Sequence, residues 1–306
     1  MNATPNSLPE SAGVTAPGYS AAATRPFYWS VWRELWENRS IYMAPLIVAV
    51  VVLFGFLVST AGLPERRRAV LLLDPAKARV GIEAPYDMAA LMLILTAFIV
   101  GVFYCLDALY GERRDRSILF WKSMPVSDTT VVLSKMTVPV VVVPLTAFAL
   151  TVGVHLIMLL LGSMIFQGSG IGAATLWRHV PLVHKWAVLF VHLVPGHGLA
   201  FAPLYAWLLL VSAWARRTPF LWAVLPPVAI AGAEKIAFNT SYFVAILLSP
   251  FTGGTRPSEP TSTMSMDAMT PPLGDLLSNP WLWIGFVVAA AFLMGAIRLR
   301  RARGPI

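Results

Sequence analysis

Charged side chains are scarce in this chain. Of its 306 residues only 12% are Asp, Glu, Lys or Arg, whereas a soluble domain usually carries about 25%. Hydrophobic residues make up 57% of the sequence. This balance argues against a soluble globular protein. It favours a membrane protein, whose length is best divided into apolar stretches of about 20 residues, the length of helix that crosses a bilayer.

Cysteine and the common catalytic motifs are also lacking. The single cysteine, Cys105, excludes an internal disulfide and lies in an apolar run, as a small buried hydrophobe does. The sequence contains no Cys–His zinc spacing, no H-E-x-x-H motif and no G-x-S-x-G nucleophile elbow. It also has no G-x-x-x-x-G-K-[ST] phosphate loop, so we recognise no means by which it hydrolyses ATP. We predict no catalytic residue, metal site or cofactor on this chain.

The net charge of +8 does not indicate nucleic-acid binding. Its Lys and Arg residues form short clusters beside apolar runs, which is the pattern that sets membrane topology. Residues 1–25 are rich in Ala, Ser, Thr, Pro and Gly and lack an apolar signal-peptide core. They predict a disordered cytoplasmic tail ahead of a single membrane domain over 26–306.

Apolar runs predict an all-α protein with six transmembrane helices. Several prolines fall inside these runs, notably Pro139, Pro144 and Pro195, and predict kinked or broken spans. The fifth span begins near Pro219 and ends either near Glu234 or further on, near 248. The six spans are predicted at 41–63, 88–109, within 131–166, 186–214, from 219, and 280–297.

Basic residues set the predicted orientation. With the N-terminus inside, 14 of the 23 Lys and Arg residues lie on the cytoplasmic side, which favours cytoplasmic N- and C-termini. The Glu65–Arg68 cluster is the main contrary feature, because it would lie outside. The external segments are then 64–87, 167–185 and 250–279, none long enough for a sizeable external domain.

Residues 26–40 have the pattern of an amphipathic helix. Trp29, Trp32 and Trp36 fall on an apolar face, and Arg33 and Glu34 fall on the opposite face. Three tryptophans on one side favour a helix lying in the headgroup region, with the tryptophans as membrane-interface anchors. The alternative is a cytoplasmic extension of the first span.

A few polar residues lie within the apolar runs. Asp107, Glu234 and Lys235 are candidates for a polar cavity, because polar groups at membrane depth are costly and often functional. Alternatively, Arg113 or Arg114 neutralises Asp107, and Glu234 and Lys235 mark the end of the fifth span. Four of the five histidines crowd into 179–197, which leaves open a membrane-embedded enzyme built on that region.

The loop between the second and third spans, residues 110–130, combines charge with aromatic residues. Arg and Glu are dense at its start, then Ile-Leu-Phe-Trp follows, then Met-Pro-Val-Ser. We predict a short cytoplasmic helix over 112–123 that docks a protein partner, with Pro125 ending it and Ser127 or Asp128 capping the next helix. The alternative is a solvated connector.

The stretch YGERRDRSILFWKSMPVS, with the amphipathic helix and the six-span layout, resembles the membrane subunits of type-2 ATP-binding-cassette (ABC) transporters. The matching positions include Glu112, Arg113, Leu119, Met124 and Pro125. The resemblance implies six helices per subunit, a homodimer or heterodimer with a sister permease, and a separate ATPase subunit that carries ATP and Mg²⁺. It implies a permease that exports a substrate across a bacterial inner membrane.

In that family the loop helix is the coupling helix that seats on the ATPase. Carried onto this chain, the docking residues are Glu112, Arg113, Arg114, Arg116, Ile118, Leu119, Trp121, Lys122 and Pro125. The rival hypotheses are the membrane enzyme already mentioned and a membrane assembly protein that transports nothing.

Overall fold

The computed structural model of the protein describes residues 25–60, 75–168, 182–252, 274, 278 and 280–306. In these residues the regular structure is entirely helical, in agreement with the predicted fold class. Residues 1–24 of the predicted tail lie outside the described residues. So do most of the predicted external segment 250–279 and parts of the segments 64–87 and 167–185.

Thirteen α-helices and two π-helical segments carry the described architecture. The first half contains α1 (Pro26–Glu37), α2 (Ser40–Thr60), α3 (Pro75–Ala108), α4 (Tyr110–Arg114), α5 (Ser117–Ser123), α6 (Asp128–Thr137), π1 (Val138–Val142) and α7 (Val143–Gly168). The second half contains α8 (Leu182–Val191), π2 (His192–His197), α9 (Gly198–Ala200), α10 (Ala202–Trp214), α11 (Pro219–Phe238), α12 (Tyr242–Thr252) and α13 (Pro280–Ala302).

Five of the described helices are long and apolar enough to cross a membrane, as expected of a multi-pass membrane protein. They cover Ser40–Ser59, Gly81–Arg114, Asp128–Met164, Pro219–Phe238 and Leu282–Ala302. The predicted fourth span, 186–214, is not one helix: the shorter apolar helices α8 and α10 are joined through π2 and α9. The second predicted span began at 88, but α3 already begins at Pro75.

Two buried apolar clusters hold the bundle together. One gathers side chains of α3, α6, α10 and α13 around Tyr205, which is fully buried. The other joins α2 to the first half of α3, to α7 and to α8 around Tyr86. Because the last turn of α3, the start of α6 and the last turn of α13 lie at one end of this bundle, the loop between α3 and α6 is surrounded by helix ends.

The two π-helical segments contact each other inside the bundle. Each contains a proline that interrupts the regular ladder, Pro139 in π1 and Pro195 in π2. Gly198, directly after π2, lies so close to π1 that a Cβ added to it would stand 2.6 Å from the carbonyl oxygen of Val140. The predicted kinks are therefore present as π segments, and the absence of a side chain at position 198 allows them to meet.

Candidate functional site

The loop between α3 and α6 does not form the single helix predicted over 112–123. Arg116 takes a left-handed backbone conformation, with φ of 59°, and ends α4 before α5 begins. A non-glycine residue in this region cannot continue an α-helix. The loop is therefore two short helices with a bend between them, and no glycine or asparagine stands at the bend to mark it in the sequence.

The other predicted local signals in this loop are confirmed. Met124, the residue before Pro125, is extended, with ψ of 147°, and ends α5. Ser127 caps α6, accepting a hydrogen bond from the backbone N–H of Thr130 at 3.1 Å. At the other end of the loop the Ser212 hydroxyl accepts hydrogen bonds from the backbone N–H groups of Leu109 and Tyr110, at 3.0 and 2.8 Å.

A buried charged network lies between this loop and α1, and Lys135 of α6 is at its centre. The Lys135 ammonium group is 2.9 and 3.0 Å from the two carboxylate oxygens of Glu34 and 3.1 Å from Oε1 of Glu112. Arg33 bonds Glu34 at 2.6 Å and approaches Glu112 at 3.4 Å. The Tyr104 hydroxyl donates to Glu34 at 2.8 Å.

Arg300, in the last turn of α13, closes the network from the opposite side. Its guanidinium bonds the second carboxylate oxygen of Glu112 and, at 3.0 Å, the carboxylate of Asp128. The three carboxylates Glu34, Glu112 and Asp128 therefore face the three cations Arg33, Lys135 and Arg300. The formal charges of these six groups cancel, and Arg33 also pairs with the exposed carboxylate of Glu37 at 3.6 Å. Helices α1, α4, α6 and α13 are all tied to this cluster, defined here as the charged network.

Burial makes this network sensitive to the loss of any member. Glu34 is fully buried, Lys135 is 2% exposed and Glu112 is 7% exposed. Burial alone would raise the pKa of Glu34, but the charges of Lys135 and Arg33 outweigh it and hold that pKa below its ordinary value. A buried ionic cluster adds little net stability over an apolar core, yet removing one partner costs about 3–5 kcal/mol. The network therefore holds α1, α4, α6 and α13 in one relative arrangement.

Residues 304–306, called the strap below, contact the same loop. The Arg113 guanidinium donates to the carbonyls of Ala213 and Ala215, at 2.7 and 3.1 Å, and to that of Gly304 at 3.4 Å. The backbone N–H of Ile306 donates back to the carbonyl of Arg113. Arg113 therefore joins the loop to the end of α10 and to residues 304–306.

These contacts correct three of the predicted docking residues. Glu112, Arg113 and Ile118 all face the interior, and Ile118 is only 1% exposed. In this structure they position the loop and are not available for contact with a partner.

Trp121 was also predicted to anchor the loop to a partner. It is half-buried, and the Arg33 guanidinium lies 3.8 Å above its ring, a cation–π contact.

The outward surface of the loop carries the remaining predicted residues and one that was missed. Leu119 is 59% exposed, and Phe120, which we had not singled out, is 60% exposed. Both side chains project from the loop, and the Phe120 ring contacts the half-buried Trp121 ring edge-on at 4.9 Å. The exposed residues around them include Arg114, Asp115, Arg116, Lys122, Met124 and Pro125.

Helix α1 shows its predicted two faces, and its polar face is the inner one. Glu34 and Ser30 are buried against the protein, and α1 packs on α6. Trp29, Trp32 and Trp36 point outward and are among the exposed aromatic side chains. The polar face therefore binds the charged network, and the tryptophan face is the one left for surroundings outside the chain.

The three candidates for a polar cavity do not come together. Asp107 is exposed beside the loop, 3.7 Å from Arg114, which is the predicted neutralisation. Glu234 lies fifteen residues beyond the start of α11, roughly 22 Å along that helix. Its carboxylate accepts hydrogen bonds from the backbone N–H groups of Tyr242 and Phe243, at 2.6 and 2.9 Å, and so caps α12. Lys235 is exposed.

The end of α11 decides between the two predicted ends of the fifth span. The helix stops at Phe238 because Asn239 adopts a left-handed conformation, with φ of 51°. The Glu234 carboxylate then caps a separate helix, α12, which begins at Tyr242. The chain therefore turns near 239 and does not run on as one helix to 248.

Two of the described histidines, His155 and His197, have different hydrogen-bond partners. The Trp186 indole N–H donates to Nδ1 of His155, so the other ring nitrogen carries the proton and donates to the carbonyl of Tyr86 at 2.9 Å. His197 pairs with the Tyr205 hydroxyl at 2.8 Å. His179 lies outside the described residues. Among the residues that the structure describes, no group of three His, Cys, Asp or Glu side chains is placed to hold a metal ion.

A second ionic cluster lies at the opposite end of α3 and was not predicted. Lys185 of α8 is 2.8 Å from Glu83 and 2.7 Å from Asp87. The two carboxylates stand one turn apart on the part of α3 that extends beyond the predicted span. Their spacing of four residues was the available signal, but without the start of α3 it could not be recognised.

Comparison with known proteins gave no match: no family model, no curated protein and no solved structure resembles the chain closely enough to assign it.

Proposed function

We propose that this protein is the membrane-spanning permease subunit of an ABC exporter, in which a separate ATPase subunit hydrolyses ATP. The proposal joins the resemblance of the loop sequence to the geometry of that loop. It places the protein in a bacterial inner membrane, with the loop and both termini in the cytoplasm. The substrate class stays open.

One observation carries the proposal: the loop of α4 and α5 is rigid on its inner face and apolar on its outer face. Glu112 and Arg113 fix it to α1, α6, α10 and α13 through charged contacts. Leu119 and Phe120 are 59% and 60% exposed, so the edge-on contact of Phe120 with the Trp121 ring at 4.9 Å leaves most of its side chain uncovered. A connector that only turns the chain needs neither feature. An element that receives force from a partner needs both, because the anchor binds the partner and the rigid base transmits the motion.

The docking set is revised accordingly. Leu119 and Phe120 form the apolar anchor, in the place first given to Ile118 and Trp121. Exposed Arg114, Arg116 and Lys122 form a basic rim, which affects the orientation and rate of association more than affinity.

Six spans follow if α8, π2, α9 and α10 together form one broken crossing. Such a crossing covers Leu182–Trp214, and its irregular centre lies against π1. Broken backbone inside a bilayer is tolerated where protein surrounds it, and Gly196, His197 and Gly198 are all buried.

Pairing of two permease subunits is part of the proposal. Of the five long helices, α11 has the least buried surface and α13 and α2 follow. This leaves an apolar side on α11 and on α2 for lipid or for a second subunit. We choose α2 and α11 for the contact between subunits because of the family resemblance.

The test is association with an ATPase and substrate movement that depends on it. The chain is purified in mild detergent from its native host, and co-purifying phosphate-loop ATPases are identified and quantified. Phe120→Ala and Leu119→Ser should each lower the amount of ATPase recovered, with normal membrane expression. Tyr242→Ala is the matched control, because that aromatic side chain is 73% exposed in the first turn of α12, outside both the loop and the helices proposed for subunit contact.

The rivals give different results. Full ATPase recovery with both loop variants rejects the docking surface. An isolated chain that moves substrate without any ATPase rejects the ABC assignment. Normal export of every candidate substrate in a deletion strain favours an assembly protein, and stoichiometric bound zinc with hydrolytic activity favours the enzyme.

A further inference from the structure

A cavity opens where α1 meets α2, on the side of α1 away from the charged network. Its volume is about 470 Å³, within the range of small-molecule sites. Three aromatic side chains, one cation and two residues of the π1–α7 region define it: Trp32, Trp36, Arg39, Tyr42, Val142 and Thr146. This cavity is called the α1–α2 niche below.

Arg39 gives the niche an uncompensated positive charge. Among the described residues Arg39 has no ion-pair partner, although Arg33, six residues earlier, is bonded to Glu34. No acidic residue lines the niche. The Arg39 side chain is exposed. An unpaired guanidinium at the mouth of an otherwise apolar cavity is suited to a phosphate or carboxylate group, which arginine binds with geometric specificity.

The residues around Arg39 place it at the level of lipid headgroups. Arg39 directly precedes Ser40, the first residue of α2, whose 21 residues carry no charge. Trp36 and Tyr42 flank it, and both side chains are exposed. Tryptophan and tyrosine are enriched at the boundary between headgroups and acyl chains.

The inner wall of the niche extends toward the apolar region. Thr146 follows Lys135 of the charged network by eleven residues, roughly 16 Å along the helix axis. Val142 and Ile41 contribute aliphatic surface to the same wall. The niche therefore has a cationic, aromatic mouth and an aliphatic interior, the order of chemistry found along one phospholipid molecule.

We propose that the α1–α2 niche binds an anionic phospholipid, with its phosphate on Arg39 and part of an acyl chain against Val142. Basic pockets between transmembrane helices on the cytoplasmic side bind anionic lipids in this way. The lipid is a bound structural ligand and not the exported substrate, so the site stands independently of the proposed function.

The test uses native mass spectrometry of the full-length protein in detergent. Phosphatidylglycerol or phosphatidylcholine with identical acyl chains is added, and retained lipid is counted at fixed collision energy. Wild-type protein should retain one phosphatidylglycerol in preference to phosphatidylcholine. Arg39→Gln should lower phosphatidylglycerol affinity about fivefold, from the loss of one favourable basic contact. Arg217→Gln is the control, because it removes the same charge from another exposed position.

Four results would overturn the proposal. Equal retention by Arg39→Gln and Arg217→Gln would show that bulk charge, not the niche, attracts the lipid. Equal retention of the two lipids by wild-type protein would remove the requirement for an anion. Displacement of phosphatidylglycerol by inorganic phosphate would leave only an anion site. A change in dimer population with Arg39→Gln, without a change in lipid retention, would assign the niche to a second copy of the chain.

Discussion

Replacing Gly198 by alanine tests whether the contact between π1 and π2 is a fixed part of the fold. The new Cβ would stand 2.6 Å from the carbonyl oxygen of Val140, and real Cβ atoms essentially never approach within 3.0 Å of another heavy atom. The obstacle is backbone, so no rotamer change relieves it. Pro144 contributes to the arrangement because it has no N–H to donate to the Val140 carbonyl, as an ordinary residue in that helical position would.

The size of the effect follows from this geometry. Relieving the clash needs a separation of the two segments by about 0.4 to 0.8 Å, and such overpacking costs about 1–3 kcal/mol. For a chain of 306 residues, an unfolding entropy of about 2.1 cal/mol/K per residue means that each kcal/mol changes the midpoint temperature of unfolding by about 1.6 °C. We expect Gly198→Ala to lower that temperature by about 2–5 °C in detergent.

Gly153→Ala is the matched control for this prediction. Gly153 lies inside α7, and a Cβ placed there would meet nothing within 4 Å. Alanine is the better helix former by about 1 kcal/mol, so the control should leave the midpoint unchanged or raise it. Equal midpoints for wild type and Gly198→Ala, or an equal fall for both variants, would refute the close contact.

The remaining predictions concern the charged network and the strap. Lys135→Met leaves Glu34 and Glu112 with one fewer cation and should cost about 3–5 kcal/mol, whereas exposed Lys235→Met should not change thermal unfolding in detergent. Because the pKa of Glu34 is lowered on folding, its stabilisation is complete above its ordinary value of about 4.3 and is lost as the pH falls through the folded-state pKa. The midpoint temperature measured against pH should therefore fall more steeply below about 4.3 in wild type than in a Glu34→Gln variant. Deleting residues 304–306 removes the contacts to Arg113 and should lower ATPase recovery without lowering membrane insertion; unchanged recovery would assign the strap no role in docking.

Apolar run length and local capping were readable from the sequence. Twenty uncharged residues after Ser40 predict α2 because only a helix satisfies its own backbone in a bilayer. Ser127 and Pro125 act through neighbouring backbone atoms, so their effects need no knowledge of the tertiary structure. The prolines likewise located the irregular segments, although not their π-helical form.

The partners of the charged residues were not readable. Glu112 meets Arg300 across 188 positions of sequence, and no local pattern indicates such a pairing. Residue type alone placed Glu112 and Arg113 on the surface, where charged residues usually lie. Exposed Phe120 was missed for the corresponding reason. For α1 the sequence predicts a tryptophan face turned to the headgroup region, but no local pattern indicates that Glu34 on the opposite face is buried in the charged network.

The position of Arg300 in the chain has a consequence for biosynthesis. Helices α1, α4 and α6 contribute Glu34, Glu112 and Lys135 early in translation. Arg300, whose guanidinium completes the network, is translated 188 residues after Glu112. Until α13 has inserted, Glu112 lacks one of its cations and the loop lacks its strap. A nascent chain that lacks α13 therefore has an incomplete charged network, and the loop surface described here forms only after α13 has been added. If a partner binds this surface as proposed, it would bind such nascent chains less well.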